Sequence, residues 1–566
     1  MSSRNLATVP QLLTATLTDR ASQPALGLIH SGKLTWLTWE EVSTEVKRFA
    51  LALISGGIGQ GDRVAQISEN RAEWIFVDLA ILTIGAVHVP LHSSQSADQL
   101  AEQLSDCGAK LIFVSGNGQE RVTQSLDSTI PIVTYDPLPS TNQWSGGFRH
   151  GDQGTAIETI AEFLADTSPN NPQSAIRNPQ SNDLATLLYT SGTTGRPRGV
   201  MLSHGNLVSN SIATAEAVGD GSAETRLCFL PLSHVYARTC DLYTWIIHGS
   251  RLVLAESRET IFRDCQIAQP TALNGVPYFY QKVAQQVCAA GQQRTPGAVR
   301  QLLGGKIKRC FCGGAAVAPE VESFFFAQEL PLLSGYGQTE ASPVITAASM
   351  ENYRPGTVGQ PVPGTEVRIS EGGEILTRGP NVMLGYWHDE EATRSTIVDG
   401  WLHTGDLGEL DSEGNLRIIG RRKELIVLST GKNISPSRVE QLLTGSTLIE
   451  AVCVVGEGRK CLAALIVPNP AALCTYIRQE KLWVWSRRRG VTHPRVRQLY
   501  RQEIDQLLTG ASREEQVGMF TILQRAFCQE RGEQTPKMSL RREIIDRNFR
   551  SQIEAMYRRG GGFQLQ

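Results

Sequence analysis

The apolar positions of this chain fall into short runs set between longer amphipathic stretches. Val64-Ala65-Gln66-Ile67-Ser68, Leu111-Ile112-Phe113-Val114 and Arg251-Leu252-Val253-Leu254 have the length and apolar content of buried strands. Asp98 to Cys107 and Asn274 to Ala290 place apolar residues at helical spacing. The most apolar window, Ile75 to Leu91, is broken by Asp78, Gly85 and Pro90. It is too short and interrupted for a membrane span and reads as a buried helix turning into a strand. Alternating strands and helices predict an α/β chain with largely parallel sheets. Asp166 to Asp183, rich in Pro, Asn and Ser, reads as a surface linker. Cys310-Phe311-Cys312 alternates as a strand does, and no second pair at zinc spacing accompanies it, so these thiols read as core.

Composition narrows this picture. A chain of 566 residues exceeds one hydrophobic core and predicts two or more domains. Hydrophobic residues at 41% and charged residues at 19% are the proportions of a soluble globular protein. Met1-Ser2-Ser3-Arg4-Asn5 has no signal-peptide apolar stretch. Eleven cysteines in so long a chain suit reduced, mostly buried thiols, and the expected compartment is the cytoplasm. The net charge of −2 hides an asymmetry: from Gly420 onward 25 Lys and Arg face 14 Asp and Glu, a formal +11 against −13 for the remainder. A basic C-terminal part suits polyphosphates. Arg487-Arg488-Arg489 reads as solvated charge, and nucleic acid is not an expected partner, because the run lacks interleaved aromatics.

One run carries candidate chemistry: Leu187-Leu188-Tyr189-Thr190-Ser191-Gly192-Thr193-Thr194-Gly195-Arg196-Pro197-Arg198-Gly199-Val200. Its start reads as the end of a buried strand. Clustered hydroxyls and glycines follow, able to cradle an anion with backbone N–H groups and to offer oxygen donors to Mg²⁺. Ser203-His204-Gly205-Asn206-Leu207 then reads as a helix start. The bland alternative is a flexible turn; the flanking strand and helix favour a phosphate loop. The run is neither a Gly-x-x-x-x-Gly-Lys-Ser/Thr loop nor a Gly-x-Gly-x-x-Gly dinucleotide loop.

The run resembles the signature loop of the adenylate-forming enzymes: acyl-CoA synthetases, luciferases and adenylation domains of peptide synthetases. There the loop holds the ATP phosphates while a carboxylate attacks the α-phosphate. The resemblance implies nucleotide contacts from Thr190, Ser191, Gly192, Thr193, Thr194 and Gly195. Arg198 stands where the family carries Lys, keeping the charge and adding a fork of donors.

Further segments resemble the same family in the same order. Leu230-Pro231-Leu232-Ser233-His234-Val235-Tyr236 resembles the substrate-side segment, with His234 between nucleotide and acyl pocket. Gly313-Gly314-Ala315 resembles the turn that contacts adenine. In Gly335-Tyr336-Gly337-Gln338-Thr339-Glu340 the resemblance implies that Tyr336 stacks on adenine, Thr339 meets the α-phosphate and Glu340 holds Mg²⁺, with Thr190 as the second metal contact. Gly379 to Trp387 matches a segment that is chiefly structural. Asp406, in Trp401-Leu402-His403-Thr404-Gly405-Asp406, is the implied ribose ligand. Gly420-Arg421-Arg422-Lys423 marks the implied boundary, with Arg421 reaching ribose or phosphate and Lys423 at the hinge. Lys432 would line a CoA tunnel. The implied architecture is α/β: a large N-terminal domain (1–419) of layered, mostly parallel sheets with a β-barrel-like subdomain, a hinge (420–423) and a smaller mobile α+β domain (424–566). Leu232 to Arg238, Val276-Pro277-Tyr278 and Phe520 to Arg542 lean toward long-chain acyl-CoA synthetases, although that subgroup usually carries Arg where Tyr278 stands.

The chain departs from the family at its end. Long-chain members carry a catalytic Lys in a Thr-Pro-Thr-x-Lys-x-Arg-Arg pattern; here the chain reads Thr535-Pro536-Lys537-Met538-Ser539-Leu540-Arg541-Arg542, with Ser539 at that position. Removing a positive group aimed at developing charge costs on the order of 10²–10³ in rate. Three readings stay open. Lys537 substitutes, since residues i and i+2 share a face in extended chain; adenylation is slow, helped by Mg²⁺ and Arg198; or the chain binds nucleotide or acyl ligand without adenylating. The leading expectation is ATP- and Mg²⁺-dependent activation of a fatty acid to acyl-AMP and its transfer to coenzyme A. An acyl-AMP ligase that loads a carrier protein is the alternative enzyme. A membrane surface is approachable because long acyl chains partition there, without a strongly amphipathic anchor.

Overall fold

The computed structural model describes residues 6–116, 130–136, 157–165, 178–190, 197–528, 531–534 and 540–559. The helix Ala72–Thr83 is apolar almost all round, and ten of its residues, from Ala72 to Leu82, are buried. It leads into the fully buried strand Val87–Leu91, as the sequence predicts. Asp78 is the one acid in the interior of this helix. A carboxylate taken out of water is tolerated only when paired and hydrogen-bonded. Arg238 Nη2 and His88 Nδ1 meet its Oδ1, the latter at 2.6 Å, and the Tyr243 hydroxyl donates to Oδ2 at 3.2 Å. Arg238 also donates to Thr186 Oγ1 at 2.8 Å, and that hydroxyl donates to the His88 carbonyl at 2.7 Å. The side chains of Asp78, His88 and Arg238 are 0% exposed. Burial and the nearby guanidinium lower His88 to about 4, so it is neutral and donates its Nδ1 proton to Asp78.

Two large sheets are built around this helix. The eight-stranded sheet runs Gly385–Tyr386, Arg198–Ser203, Leu184–Thr190, Val87–Leu91, Arg63–Ile67, Leu111–Val114, Ile132–Thr134, Ile157–Thr159. Its first two pairings are antiparallel and the rest parallel. The nine-stranded sheet runs Gln360–Pro361, Val344–Ala347, Leu332–Gly337, Arg309–Cys312, Ala272–Gly275, Thr225–Cys228, Arg251–Leu254, Pro24–His30, Lys33–Thr38. It is parallel from Leu332–Gly337 to Pro24–His30 and antiparallel at both edges. Parallel strands buried on both faces are continuous apolar runs, which is why the sequence reveals them. A five-stranded antiparallel sheet holds Glu366–Ile369, Glu374–Arg378, Ile397–Val398, Trp401–Leu410 and Leu416–Arg421. After Glu424 come the hairpin Ile426–Val427 and Asn433–Ile434, and a three-stranded mixed sheet of Ile449–Val455, Leu462–Pro468 and Val517–Ile522. This last part has cores of its own, built from residues between Ile426 and Met556. No helix among the described residues is long and apolar enough to cross a membrane.

One expectation is corrected. Asn274 to Ala290 is not one helix: Ala272–Gly275 is a strand and the helix is Pro277–Ala289. Proline fits the first helical turn, where its missing N–H costs nothing, and the helix therefore begins there. The helix start read at Ser203 to Leu207 stands, with a strand between it and the Thr190 segment. Arg198–Ser203 is a strand that pairs antiparallel with Leu184–Thr190. The helix His204–Val218 starts one strand later, where Ser203 and Asn206 cap each other through their side chains and backbone N–H groups. Of the linker, Asn178 to Asp183 is described, and Asp183 there accepts from the backbone N–H of Gln180 at 2.8 Å. Cys310 and Cys312 are buried in their strand, and seven of the eleven cysteines are buried.

The buried histidines set a pH dependence. His88, His204 and His248 are each lowered to about 4, chiefly by burial. The unfolded chain therefore takes up these protons near pH 6.5, before the folded chain does, and stability present above that pH is lost as pH falls toward 4. Asp241, pushed up to about 6 by burial, opposes this by one proton. The urea midpoint is expected to fall steadily between pH 7 and pH 5, and His204→Gln with His248→Asn to flatten that fall; a midpoint flat or rising in the native chain contradicts the assignment. Arg238→Met leaves Asp78 buried without its cation, so a loss of about 3–5 kcal/mol is expected in the same measurement.

Candidate active site

The hairpin ends in the cross-strand pair Thr190 and Arg198, with Tyr189 opposite Gly199 one step before. Gly199 lies against the backbone of the Gly379 to Trp387 segment: its carbonyl accepts from Trp387 N at 2.7 Å, and an added Cβ would stand 3.1 Å from Trp387 Cβ. Arg198 is held over the Tyr386 ring, 5.4 Å from its centroid, with Nε 3.4 Å from Asp389 Oδ2. Tyr386 in turn donates its hydroxyl to Glu340 Oε1 at 2.9 Å, while the Glu340 carbonyl accepts from Met383 N. The structure thus joins Arg198, Tyr386 and Glu340 in one chain of contacts. Sequence reading missed Tyr386 and Asp389, although Tyr386 stood in a segment that the sequence assigned to structure alone. Ser191, Gly192, Thr193, Thr194 and Gly195 lie outside the described residues, as do Lys537 and Ser539.

Glu340 sits in a single 3₁₀ turn, Thr339–Ala341, directly after the strand Leu332–Gly337. Gly337 makes that arrangement sterically feasible: a Cβ there would stand 1.9 Å from the Pro343 carbonyl oxygen. One Glu340 oxygen takes the Tyr386 hydroxyl, and the other has no protein hydrogen bond among the described residues. Thr190, the other metal contact that the resemblance implies, ends the strand Leu184–Thr190.

Along the same strand Tyr336 donates its hydroxyl to Asp406 Oδ2 at 2.7 Å. Asp406 lies opposite Arg421 in the antiparallel pair, and Arg421 Nε is 3.0 Å from its Oδ1. Burial raises the Asp406 carboxyl and Arg421 opposes that rise. The turn before Asp406 is fixed by Glu374, buried, which accepts from Gly405 N at 2.9 Å and from Arg422 Nη1 at 2.9 Å, with His403 Nδ1 at 3.2 Å. Glu374 gave no sequence signal, because its partners are 29 to 48 residues away.

His234 caps a short helix, its Nδ1 accepting from Tyr236 N at 3.2 Å, and its ring stacks 6.1 Å from that of His92. His92 itself meets Ser233 Oγ at 2.8 Å. Tyr236 carries this segment to the glycine turn: its hydroxyl donates to the Gly275 carbonyl at 3.4 Å, and its ring fills the space beside Gly313. Gly314 and Ala315 are exposed on that turn. The π-helix Arg238–Tyr243 follows and ties the His234 segment to Asp78. Lys423 lies in the 3₁₀ turn Arg422–Glu424. Lys432 stands exposed at the tip of the Ile426 to Ile434 hairpin, and among the described residues no ion pair joins it to the groups above. Arg542, from the terminal basic motif, is a structural anchor: it pairs with partly buried Glu440 and lies 3.5 Å from Glu424.

The AMP-binding enzyme family matches residues 15–387, and the AMP-binding enzyme C-terminal domain matches residues 423–561. The long-chain-fatty-acid–CoA ligase FadD15 of Mycobacterium bovis is 32% identical over 93% of this chain and 93% of its own. A feruloyl-CoA synthase of Amycolatopsis is 30% identical over 77% of this chain and 83% of its own. Among solved structures, o-succinylbenzoate CoA synthetase from Bacillus subtilis, in complex with ATP and magnesium ion, superposes with a TM-score of 0.70 at 22% identity, covering 94% of this chain and 98% of that one. With both parts matched in order and the likeness running end to end, the chain belongs to the AMP-binding enzyme family and is an acid–thiol ligase of the AMP-forming type.

Proposed function

We propose that this chain activates a long-chain fatty acid with ATP and passes the acyl group to coenzyme A. The observation that carries this reading is the continuous set of contacts from Arg198 through Tyr386 to Glu340, together with the linked side chains of Tyr336, Asp406 and Arg421. The fatty-acid class is supported by the full-length likeness to a long-chain-fatty-acid–CoA ligase. In this reading Asp406 accepts the ribose hydroxyls, Arg421 keeps its carboxylate charged, and Tyr336 lines the adenine side beside Gly314 and Ala315. The hydroxyls of Thr190, Ser191, Thr193 and Thr194, with Gly192 and Gly195, cradle the phosphates, and Arg198 offers them its positive charge. Glu340 and Thr190 would hold Mg²⁺, which supplies charge neutralisation at the phosphates.

The fatty carboxylate oxygen then bonds to the α-phosphorus as the bond to the bridging oxygen breaks, and pyrophosphate leaves with that electron pair. Positioning and electrostatics supply most of the acceleration in such a transfer. His234, fixed by its cap and by stacking on His92, stands between the nucleotide and acyl sides. In the second half-reaction the CoA thiolate bonds to the acyl carbon and AMP departs. Residues 1–419 would form the nucleotide-binding body, 420–423 the hinge at Lys423, and 424–566 the mobile domain that brings Lys432 toward CoA. Ser539 at the family's Lys position favours a slower first step than that of relatives that keep the Lys.

With Mg-ATP, CoA and palmitate, AMP and acyl-CoA are expected in equal amounts. Neither product with any acid from acetate upward contradicts the reading; AMP release that requires a carrier protein instead of CoA changes the acceptor. Glu340→Gln is expected to lower kcat by roughly 10²–10³. Asp406→Asn is expected to raise KM for ATP roughly 10-fold, the scale of one lost charged hydrogen bond.

A further inference from the structure

The C-terminal part carries a surface that the ligase reading leaves unused. Trp483 and Trp485 are 83% and 71% exposed, the two most exposed large apolar side chains among the described residues. Their rings lie side by side, 5.4 Å between centroids. Exposed and partly buried residues alternate from Lys481 to Trp485. Leu482 packs against the C-terminal core, and Val484 faces Gly490, a Cβ on which would lie 3.4 Å from Val484 Cγ1. Those inward neighbours hold the two indoles outward; their exposure is built into the backbone.

The surroundings are cationic. From Arg478 to Arg497 the sequence holds seven Lys and Arg against one acid, Glu480. Glu480 is already engaged by Arg495 at 3.5 Å. Lys481, Arg488 and Arg489 are exposed on either side of the tryptophans. The run that reads in the sequence as solvated charge thus stands directly beside two exposed indoles. Trp favours the boundary between headgroups and hydrocarbon, and clustered Lys and Arg favour anionic headgroups.

We propose that Trp483, Trp485 and the flanking basic residues form a docking surface for an anionic lipid bilayer. A second protein is the poorer occupant, because a bilayer takes up exposed indole rings and clustered cations together. The proposal goes beyond the ligase reading and needs no step of it.

The test is co-sedimentation of the full chain, without ATP, acid or CoA, with vesicles of equal parts phosphatidylcholine and phosphatidylserine, against pure phosphatidylcholine. Binding is expected to the mixed vesicles and to weaken sharply at about 1 M salt, where the Debye length is about 3 Å. Trp483→Ser with Trp485→Ser is expected to lower partitioning roughly 10-fold or more. Arg488→Ser with Arg489→Ser should lower it roughly 25-fold. Both variants should form acyl-CoA from a short, water-soluble acid at the native rate, which separates loss of docking from loss of fold or chemistry. Native protein that ignores the mixed vesicles, variants that bind as the native chain does, or tighter retention on single-stranded RNA than on vesicles would each overturn the proposal.

Discussion

The buried carboxylate of Asp78 is the constraint around which the N-terminal part is arranged. It lies within the most apolar helix of the chain, where an unpaired charge is not sustainable. Its partners come from two other elements: His88 from the adjoining strand, and Arg238 and Tyr243 from the π-helix beyond His234. Thr186, on the strand that runs to Thr190, completes the set through Arg238. One desolvated cluster therefore fixes the base of the hairpin relative to the His234 segment. A buried pair of this kind adds little net stability over an apolar replacement, but breaking it is costly. Its evident consequence is registration: helix, strand and π-helix meet in one arrangement.

A second layer of positioning rests on the helix His204–Val218. Asn206 and Asn210 stand one turn apart and so share a face. Asn206 donates to the carbonyls of Pro380 and Val382, both at 2.8 Å, and Asn210 exchanges hydrogen bonds with the backbone of Val344 at 2.7 and 3.0 Å. The helix thereby holds the segment that delivers Tyr386 and the strand that follows Glu340. Tyr386 then links Glu340 to Arg198, so the distance between that carboxylate and the hairpin cation is set by one aromatic side chain. On the far side Glu374 does the same for Asp406, by holding Gly405 and Arg422. The candidate site is a row of side chains each held by a residue behind it, as electrostatic preorganisation requires.

The short-range features were legible in the sequence. Strands buried on both faces betray themselves as apolar runs, and the motif order from Thr190 to Arg421 identified the family. Tyr336 and Asp406 meet across 70 residues; the resemblance named them, and no periodicity did. What was illegible is long-range. The Asp78–Arg238 pair spans 160 residues, and no periodicity announces it. The same holds for Tyr386 with Glu340, 46 residues apart. Asn274 looked helical because its apolar neighbours satisfy either period; the proline at 277 was the missed boundary. Arg198 looked like a loop residue although it begins a strand, since Gly199 concealed the alternation.

The central claim is that this arrangement activates a carboxylate at the α-phosphate of ATP even with Ser539 where the family carries Lys. The most direct measurement is isotope exchange between pyrophosphate and ATP, with and without palmitate, in the native chain and in Ser539→Lys side by side. Exchange in the native chain that depends on the acid, with the variant faster, is the predicted result. No acid-dependent exchange in the native chain for any acid, while Ser539→Lys exchanges readily, would contradict it.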